Sequence, residues 1–179
     1  MAAHAEIALI VGLGNPGADY EHTRHNVGFL AIDALADELG ARFWKSEAGC
    51  SVAEVSHDGR TLLLAKPGDF MNTSGGPVSK LMRKRGIAPE ALAVIHDEVD
   101  LPEGQVQTRM GGGLNAHNGL RSLRDKLGTA DFWRVRAGIG RPPGKMDVAT
   151  YVLRQLKGEQ LESLLICAAS AASAARGLL

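Results

Sequence analysis

The chain has little that would tie it to a membrane or to the outside of a cell. Its 179 residues include only two cysteines, Cys50 and Cys167, so a disulfide framework is not expected and a reducing, cytoplasmic home is. No apolar run approaches the ~20 residues that a bilayer-spanning helix needs. The opening Met1-Ala2-Ala3-His4-Ala5-Glu6 has neither the basic head nor the apolar stretch of a secretory signal. Internal repeats, long linkers and low-complexity segments are absent too. So is net charge: 20 basic residues balance 20 acidic ones, which alone argues against a nucleic-acid partner.

What is present points elsewhere. Apolar residues at 45% and charged residues at 22% are ordinary for a soluble globular protein, and the length fits one domain, 1–179, with a sizeable core. The charge is unevenly spread. Residues 1–58 carry nine acidic side chains against three basic, whereas residues 103–145 carry eight basic against three acidic. Such asymmetry is compatible with a local polyanion site on a neutral protein, although solvated helix faces produce the same pattern.

Residues 6–12 read as a strand. Val27, Leu30, Ala31, Ala34, Leu35 and Leu39 then recur at helical spacing, with Asn26 as candidate N-cap and Gly40 just past the end. Residues 50–56 and 60–66 read as a hairpin around His57-Asp58-Gly59. A helix is expected over 77–85, opened by Pro77 and stopped by Gly86. Leu92 to Ile95 reads as a short buried strand ending at His96-Asp97. A helix over about 119–127, a strand from Arg134 to Ile139 and an Ala- and Leu-rich closing helix from about 158 to 177 follow. Alternating strands and helices imply an α/β fold: a compact layered domain with a mixed, mostly parallel central sheet flanked by helices.

Directly after the first strand stands Gly12-Leu13-Gly14-Asn15-Pro16-Gly17, a formal match to the Gly-x-Gly-x-x-Gly dinucleotide fingerprint. Its context is wrong. That motif needs a helix starting inside the glycine run, so that the helix N-terminus faces the pyrophosphate. Here helical periodicity begins only near Asn26, and the acidic residue due about 20 positions later would be Asp33, inside the expected helix. The polar residues near strand ends carry more information: Asn15 and His25, Asn72, Asp97, and His117 with Asn118. In an open α/β sheet, ligands bind beyond the carboxyl ends of the strands. His22, His25, His96 and His117 fit no established zinc spacing, and neither His-Glu-x-x-His nor Cys-x-x-Cys occurs; no metal and no cofactor is expected.

Three blocks carry a family resemblance. Gly12 to Gly17 with Tyr20 and Thr23-Arg24-His25-Asn26-Val27-Gly28 closely resembles the opening of bacterial peptidyl-tRNA hydrolases. So does Lys66-Pro67 with Phe70-Met71-Asn72-Thr73-Ser74-Gly75. The third block runs from His96-Asp97-Glu98 through Gly111-Gly112-Gly113 and His117-Asn118-Gly119 to Gly138-Ile139-Gly140-Arg141-Pro142. The resemblance implies hydrolysis of the ester between a peptide and the terminal ribose of tRNA, without a covalent intermediate. It makes His25, Asp97 and Asn15 the catalytic residues, with His25 the general base, Asp97 the residue that orients it, and Asn15 the residue that distinguishes a blocked amino group from a free amine. Tyr20, Phe70, Met71, Asn72, His117 and Asn118 become substrate-contacting positions, with core packing as the alternative for Met71 and hydrogen bonding that fixes the Gly-rich loop as the alternative for His117. Arg109 and Arg136 become a clamp on the 5′ phosphate, with Lys80, Arg83, Lys84 and Arg85 as an extension of the basic surface or as a solvated helix face. The partner is peptidyl-tRNA, and a cytoplasmic monomer is expected. The alternative is a non-catalytic tRNA- or ribosome-binding relative with the same fold. Two departures stand out: Asp69 replaces the family's usual Thr, and Leu114-Asn115-Ala116 precedes His117 where small residues are usual. Alanine resists positive φ, so this loop is expected to be shaped differently or to open less freely.

Overall fold

The apolar run near the N-terminus forms β1 (Leu9–Gly12), buried along its whole length as a strand covered on both faces must be. The computed structural model describes residues 5–114 and 116–179; His4 and Asn115 lie outside the described residues. Six further strands join β1: β2 (Lys45–Glu47), β3 (Cys50–His57), β4 (Arg60–Pro67), β5 (Leu92–Glu98), β6 (Val106–Met110) and β7 (Trp133–Gly138). The sheet order is β2-β3-β4-β1-β5-β7-β6. The inner pairs β4–β1, β1–β5 and β5–β7 are parallel, while β2–β3, β3–β4 and β6–β7 are antiparallel. The β3–β4 hairpin closes on His57 and Arg60, and its two turn residues, Asp58 and Gly59, both take the positive φ that a two-residue hairpin favours.

Strand alternation divides the core. Ile10, Ala93, Ile95, Val135 and Ala137 face α1 (Val27–Leu39) and α5 (Gly158–Arg176). Leu9, Val11, Val52, Leu63 and Val94 face α2 (Gly75–Arg85) and α3 (Asn118–Leu127). Burying one such aliphatic side chain is worth about 1.5–3 kcal/mol. The small buried face of α5, Ala168, Ala171, Ala172 and Ala175, sits in the first of these clusters with α1. Left-handed glycines end three helices, at Gly40, Gly86 and Gly128.

Two glycines position the site. A Cβ on Gly28 would lie 2.5 Å from the Ile95 carbonyl and from the Leu13 main chain, and one on Gly12 would lie 2.1 Å from the Gly28 carbonyl. The first turn of α1 therefore rests directly on β1 and the end of β5. The glycine motif serves close approach more than turning: of its three glycines only Gly17 has positive φ. No helix starts inside it. The chain passes through two short 3-10 turns, Ala18–Tyr20 and Arg24–Asn26, before α1 begins at Val27.

Several elements differ from the sequence reading. The helix expected from Pro77 starts two residues earlier, because Gly75 packs against the Ser122 carbonyl and its N–H donates to Ser122 Oγ at 2.8 Å. The strands β2 and β6 and the short helix α4 (Val148–Leu153) had no readable signal. β6 is a sheet-margin strand with mostly exposed residues, so it lacks the alternation that marks a half-buried strand.

Candidate active site

His25 lies in the 3-10 turn ahead of α1, between two anchored neighbours. Arg24 is buried; its guanidinium donates to the Tyr151 carbonyl at 3.1 Å and stacks 3.9 Å above the Tyr151 ring. On the other side, the Asn26 amide brackets the main chain of Asn15, accepting from its N–H and donating to its carbonyl, both at 2.9 Å. Asn26 occupies the cap position ahead of α1 that its place in the sequence predicts. Its side chain makes no cap bond and instead fixes the Asn15 loop. An amide with a donor and an acceptor side by side is well matched to one residue's backbone pair.

Alternation at the end of β5 places Asp97 on the α1 face, where His25 Nδ1 donates to Oδ2 at 2.8 Å across 72 residues of sequence. The other oxygen, Oδ1, meets His117 Nε2 at 2.7 Å. His117 is the N-cap of α3, and its Nδ1 accepts from the N–H groups of Gly119 and Leu120 at 3.1 and 3.3 Å. Backbone N–H groups can only donate, so His117 carries its proton on Nε2 and gives it to Asp97. His25 likewise gives Nδ1–H to Asp97, which leaves Nε2 as its basic nitrogen.

Charge follows from this geometry. Burial works against protonated His25, but the facing Asp97 carboxylate and its hydrogen bond prevail and hold the pKa above its ordinary 6.5. Burial would raise the Asp97 pKa, yet the two imidazoles outweigh it and keep the carboxyl ionised well below the usual range. His96 differs. Its Nδ1 meets the Asp97 carbonyl at 2.8 Å, its ring packs edge-on to His117 at 5.2 Å, and burial pushes its pKa down to about 4. It is a neutral side chain in the wall of the site.

Among the described residues His25, Asp97 and His117 offer ligand atoms within 4.8 Å of one another, a set that a cation could use. The nitrogens facing the carboxylate already form hydrogen bonds of 2.7–2.8 Å, and the remaining His117 nitrogen caps α3. The chemistry of this donor set is that of an oriented base. His22 is exposed and lines a different groove, with Asn15 and Asn26.

A cavity of about 210 Å³ opens beside this group, bounded by His25, Asp97, His117 and Asn118 and, opposite, by Val148, Val152 and Leu153 of α4. Asn118 also lines a groove shared with Asn72, Thr73 and Arg121 and so joins the two spaces. Asn15 Oδ1 accepts the Met71 N–H at 2.7 Å. The Met71 side chain itself is 4% exposed and belongs to the core, so it reaches the site through its main chain. Tyr20 and Phe70 pack edge to face at 6.1 Å, with Phe70 left exposed. Ala116 adopts a φ of 59°, the left-handed conformation it was expected to resist, at a cost of about 1–2 kcal/mol; a turn closed by His117 N–H to the Leu114 carbonyl at 2.8 Å holds it there.

The basic residues are only partly free. Arg136 donates from Nε and Nη2 to Glu98 Oε1 at 3.0 and 2.9 Å and from Nη1 to Gln107 at 2.7 Å. Arg109 is exposed and shares a sheet face with it. Lys84 and Arg85 are both paired with Glu47, Lys84 at 3.4 Å and Arg85 through two bonds of 2.7 and 2.8 Å. Cys50 and Cys167 are buried free thiols, and burial pushes Cys50 up to about 12.

A parallel-centred sheet with a His–carboxylate pair at its carboxyl rim beside a cavity is the layout of an α/β enzyme built for general-base chemistry. A family model for peptidyl-tRNA hydrolase matches residues 9–179. The peptidyl-tRNA hydrolase of Nocardia farcinica is 47% identical over 173 residues, spanning 96% of this chain and 90% of that protein. That of Frankia alni is 50% identical over 87% of this chain and 79% of its own length. Among solved structures, the peptidyl-tRNA hydrolase of Acinetobacter baumannii superposes with a TM-score of 0.83 at 36% identity, covering 92% of this chain and 84% of that one. The chain belongs to the peptidyl-tRNA hydrolase family.

Proposed function

We propose that this chain hydrolyses the ester joining a peptide to the terminal ribose of tRNA, with His25 as general base and Asp97 as its orienting partner. His25 Nε2 takes a proton from a water as that water attacks the ester carbonyl. The tetrahedral intermediate collapses, and the ribose oxygen leaves with the proton from the imidazolium. A free peptide acid, which ionises to its carboxylate by releasing a proton to solvent, and a tRNA 3′-terminal hydroxyl result. One observation carries the reading: Asp97 accepts from His25 Nδ1 at 2.8 Å, which leaves Nε2 as the base. A raised pKa also makes this imidazole a stronger base toward water.

The substrate fits the surrounding amides. Asn15 Oδ1 is occupied by the Met71 N–H, so the amide presents its Nδ2 donor to substrate. A donor welcomes the acyl carbonyl of a blocked amino group and disfavours a free ammonium, which has only donors. Asn72 and Asn118 supply further amides for a peptide main chain of any sequence, and Tyr20 with Phe70 supplies an apolar edge. Arg109 and the outer side of Arg136 would receive the 5′ phosphate, a contact that positions without reading sequence. We take the protein to act as a single domain and a monomer in the cytoplasm. Its buried free thiols are in keeping with a reducing compartment, and no helix among the described residues is long and apolar enough to cross a membrane.

The test is deacylation of N-acetylaminoacyl-tRNA by wild type and His25→Ala, each with and without a chelator. Turnover should vanish in the variant while tRNA binding persists, and the chelator should change nothing. Full activity of His25→Ala would remove this mechanism, and chelator inhibition would turn the His25–Asp97–His117 set into a metal site.

A further inference from the structure

Arg134 is 2% exposed, and its hydrogen-bond partners are neutral carbonyls, with the carboxylates of Asp131 and Glu98 acting on it only through space. Its Nη1 donates to the Gly113 carbonyl and its Nη2 to the Ala130 carbonyl at 3.0 Å, and its guanidinium lies 4.9 Å from the centre of the Phe132 ring. Nε is buried with no hydrogen-bond partner among the described residues. Gly113 lies in the segment leading into α3, and Ala130 in the segment leading out. A desolvated charge that staples two loops is a costly way to hold a helix, because an aliphatic side chain would fill the space without that penalty.

Its neighbours explain the choice. Arg109 pairs directly opposite Arg134 across the β6–β7 ladder, and Arg136 stands two residues along on the same face. The Arg109 guanidinium lies against Gly112, where a Cβ would fall 2.7 Å from its Nε; with a φ of 106° this position suits only glycine. Gly111 N–H in turn donates to the Phe132 carbonyl at 2.9 Å. The glycine run is thus seated on Arg109, Phe132 and Arg134, and four residues beyond Gly113 comes His117, the second partner of Asp97.

We infer that Arg134 couples phosphate capture at Arg109 and Arg136 to the placement of His117 and Asn118, so that the tRNA body raises the rate of ester cleavage as well as the affinity. This rests on the 5′-phosphate reading above. Arg134 is a positioning residue. An anion that draws the Arg109 guanidinium away from Gly112 also relieves the repulsion that Arg109 and Arg136 exert on Arg134, which together with burial, the larger cause, outweighs the attraction of Asp131 and Glu98 and lowers its pKa. Arg134 can then hold Gly113, and through it the entry to α3, more firmly.

The experiment compares N-acetylaminoacyl-tRNA carrying its 5′ phosphate with the same substrate after phosphatase treatment, on wild type and Arg134→Lys. Lysine keeps the charge but cannot fork between two carbonyls. For wild type, phosphate removal should raise KM and lower kcat, each about tenfold. Arg134→Lys should start with kcat about tenfold down and KM little changed, and phosphate removal should then raise only its KM. A wild-type kcat that ignores the phosphate while KM rises overturns the coupling and leaves the phosphate reading intact. If neither parameter moves, both fail. A variant whose kcat still falls on phosphate removal as wild type does shows that Arg134 is not the link. Should Arg134→Lys not fold, wild type still decides through its His117 ring resonances, recorded with a deacylated acceptor-stem minihelix. A shift that requires the 5′ phosphate supports the coupling, and identical spectra with and without the phosphate overturn it.

Discussion

Replacing Asp97 by Asn changes one oxygen to an NH2 and should nearly abolish turnover, for a reason set by two imidazoles at once. The carboxylate now accepts from His25 Nδ1 at 2.8 Å and from His117 Nε2 at 2.7 Å. An Asn side chain can accept from only one of them. His117 cannot change tautomer without losing its bonds to the Gly119 and Leu120 N–H groups, so it keeps Nε2–H and claims the Asn oxygen. The new NH2 then faces His25 Nδ1, which must become the acceptor. That moves the His25 proton to Nε2, the nitrogen required to receive a proton from water. In other histidine hydrolases a wrong tautomer of this kind costs about four decades; three to four decades are expected here, about 4–5.5 kcal/mol of barrier. Single-turnover deacylation of N-acetylaminoacyl-tRNA measures it, with thermal unfolding as the control for folding. A rate within tenfold of wild type would refute the argument.

In the Asp97→Asn/His117→Ala double variant, the amide is free to turn its oxygen to His25, so the rate should recover above that of the single variant. Equal rates would show that His117 does not impose the tautomer. The pH profile also has a definite sign. Neutral His25 is the active form, so wild-type kcat/KM should rise with pH through an inflection above 6.5. In Asp97→Asn the carboxylate that raises this pKa is gone while burial, which lowers it, remains. The inflection of the residual activity should therefore move to lower pH.

Asn26→Ala removes two buried hydrogen bonds to the Asn15 main chain, leaving an N–H and a carbonyl unpaired. Urea unfolding should show a loss of about 2–4 kcal/mol, and kcat should fall as Asn15 drifts; a neutral outcome would mean the loop is held by other contacts. Glu47 is held down to about 2, first by its hydrogen bonds from Arg85. Its stabilisation is fully present above its ordinary 4.5 and is lost as pH falls through about 2. Glu47→Gln should therefore flatten the acid limb of stability between those values, and an unaltered acid limb would count against the Glu47–Arg85 pair as its source.

Local rules in the sequence were enough for most elements. Helical spacing with Gly40 and Gly86 just past the ends, and the His57-Asp58-Gly59 turn, depend on neighbours a few residues away, and the structure has all of them. Margin and short elements escaped because their signals are weak. β6 buries almost nothing, and α4 is a six-residue helix whose start is marked only by the Asp147 cap on Thr150. His25 and Asp97 were legible as chemical types at strand ends, and their block spacing carried the family.

Only the tertiary structure decided how these groups work on one another. Hydrogen bonds between side chains 72 and 20 residues apart cannot be read from local pattern, yet they set which nitrogen of His25 is basic and which proton His117 carries. The same holds for Asn26, a cap by local rule and a clamp on Asn15 by three-dimensional contact. It holds for Ala116, whose left-handed backbone is dictated by the loop and opposed by its own side chain. And it holds for the glycine run after β1. Its spacing formally matches a phosphate cradle that its sequence context already argues against, and the packing of Gly12 against Gly28 brings α1, and with it His25, within hydrogen-bonding reach of Asp97.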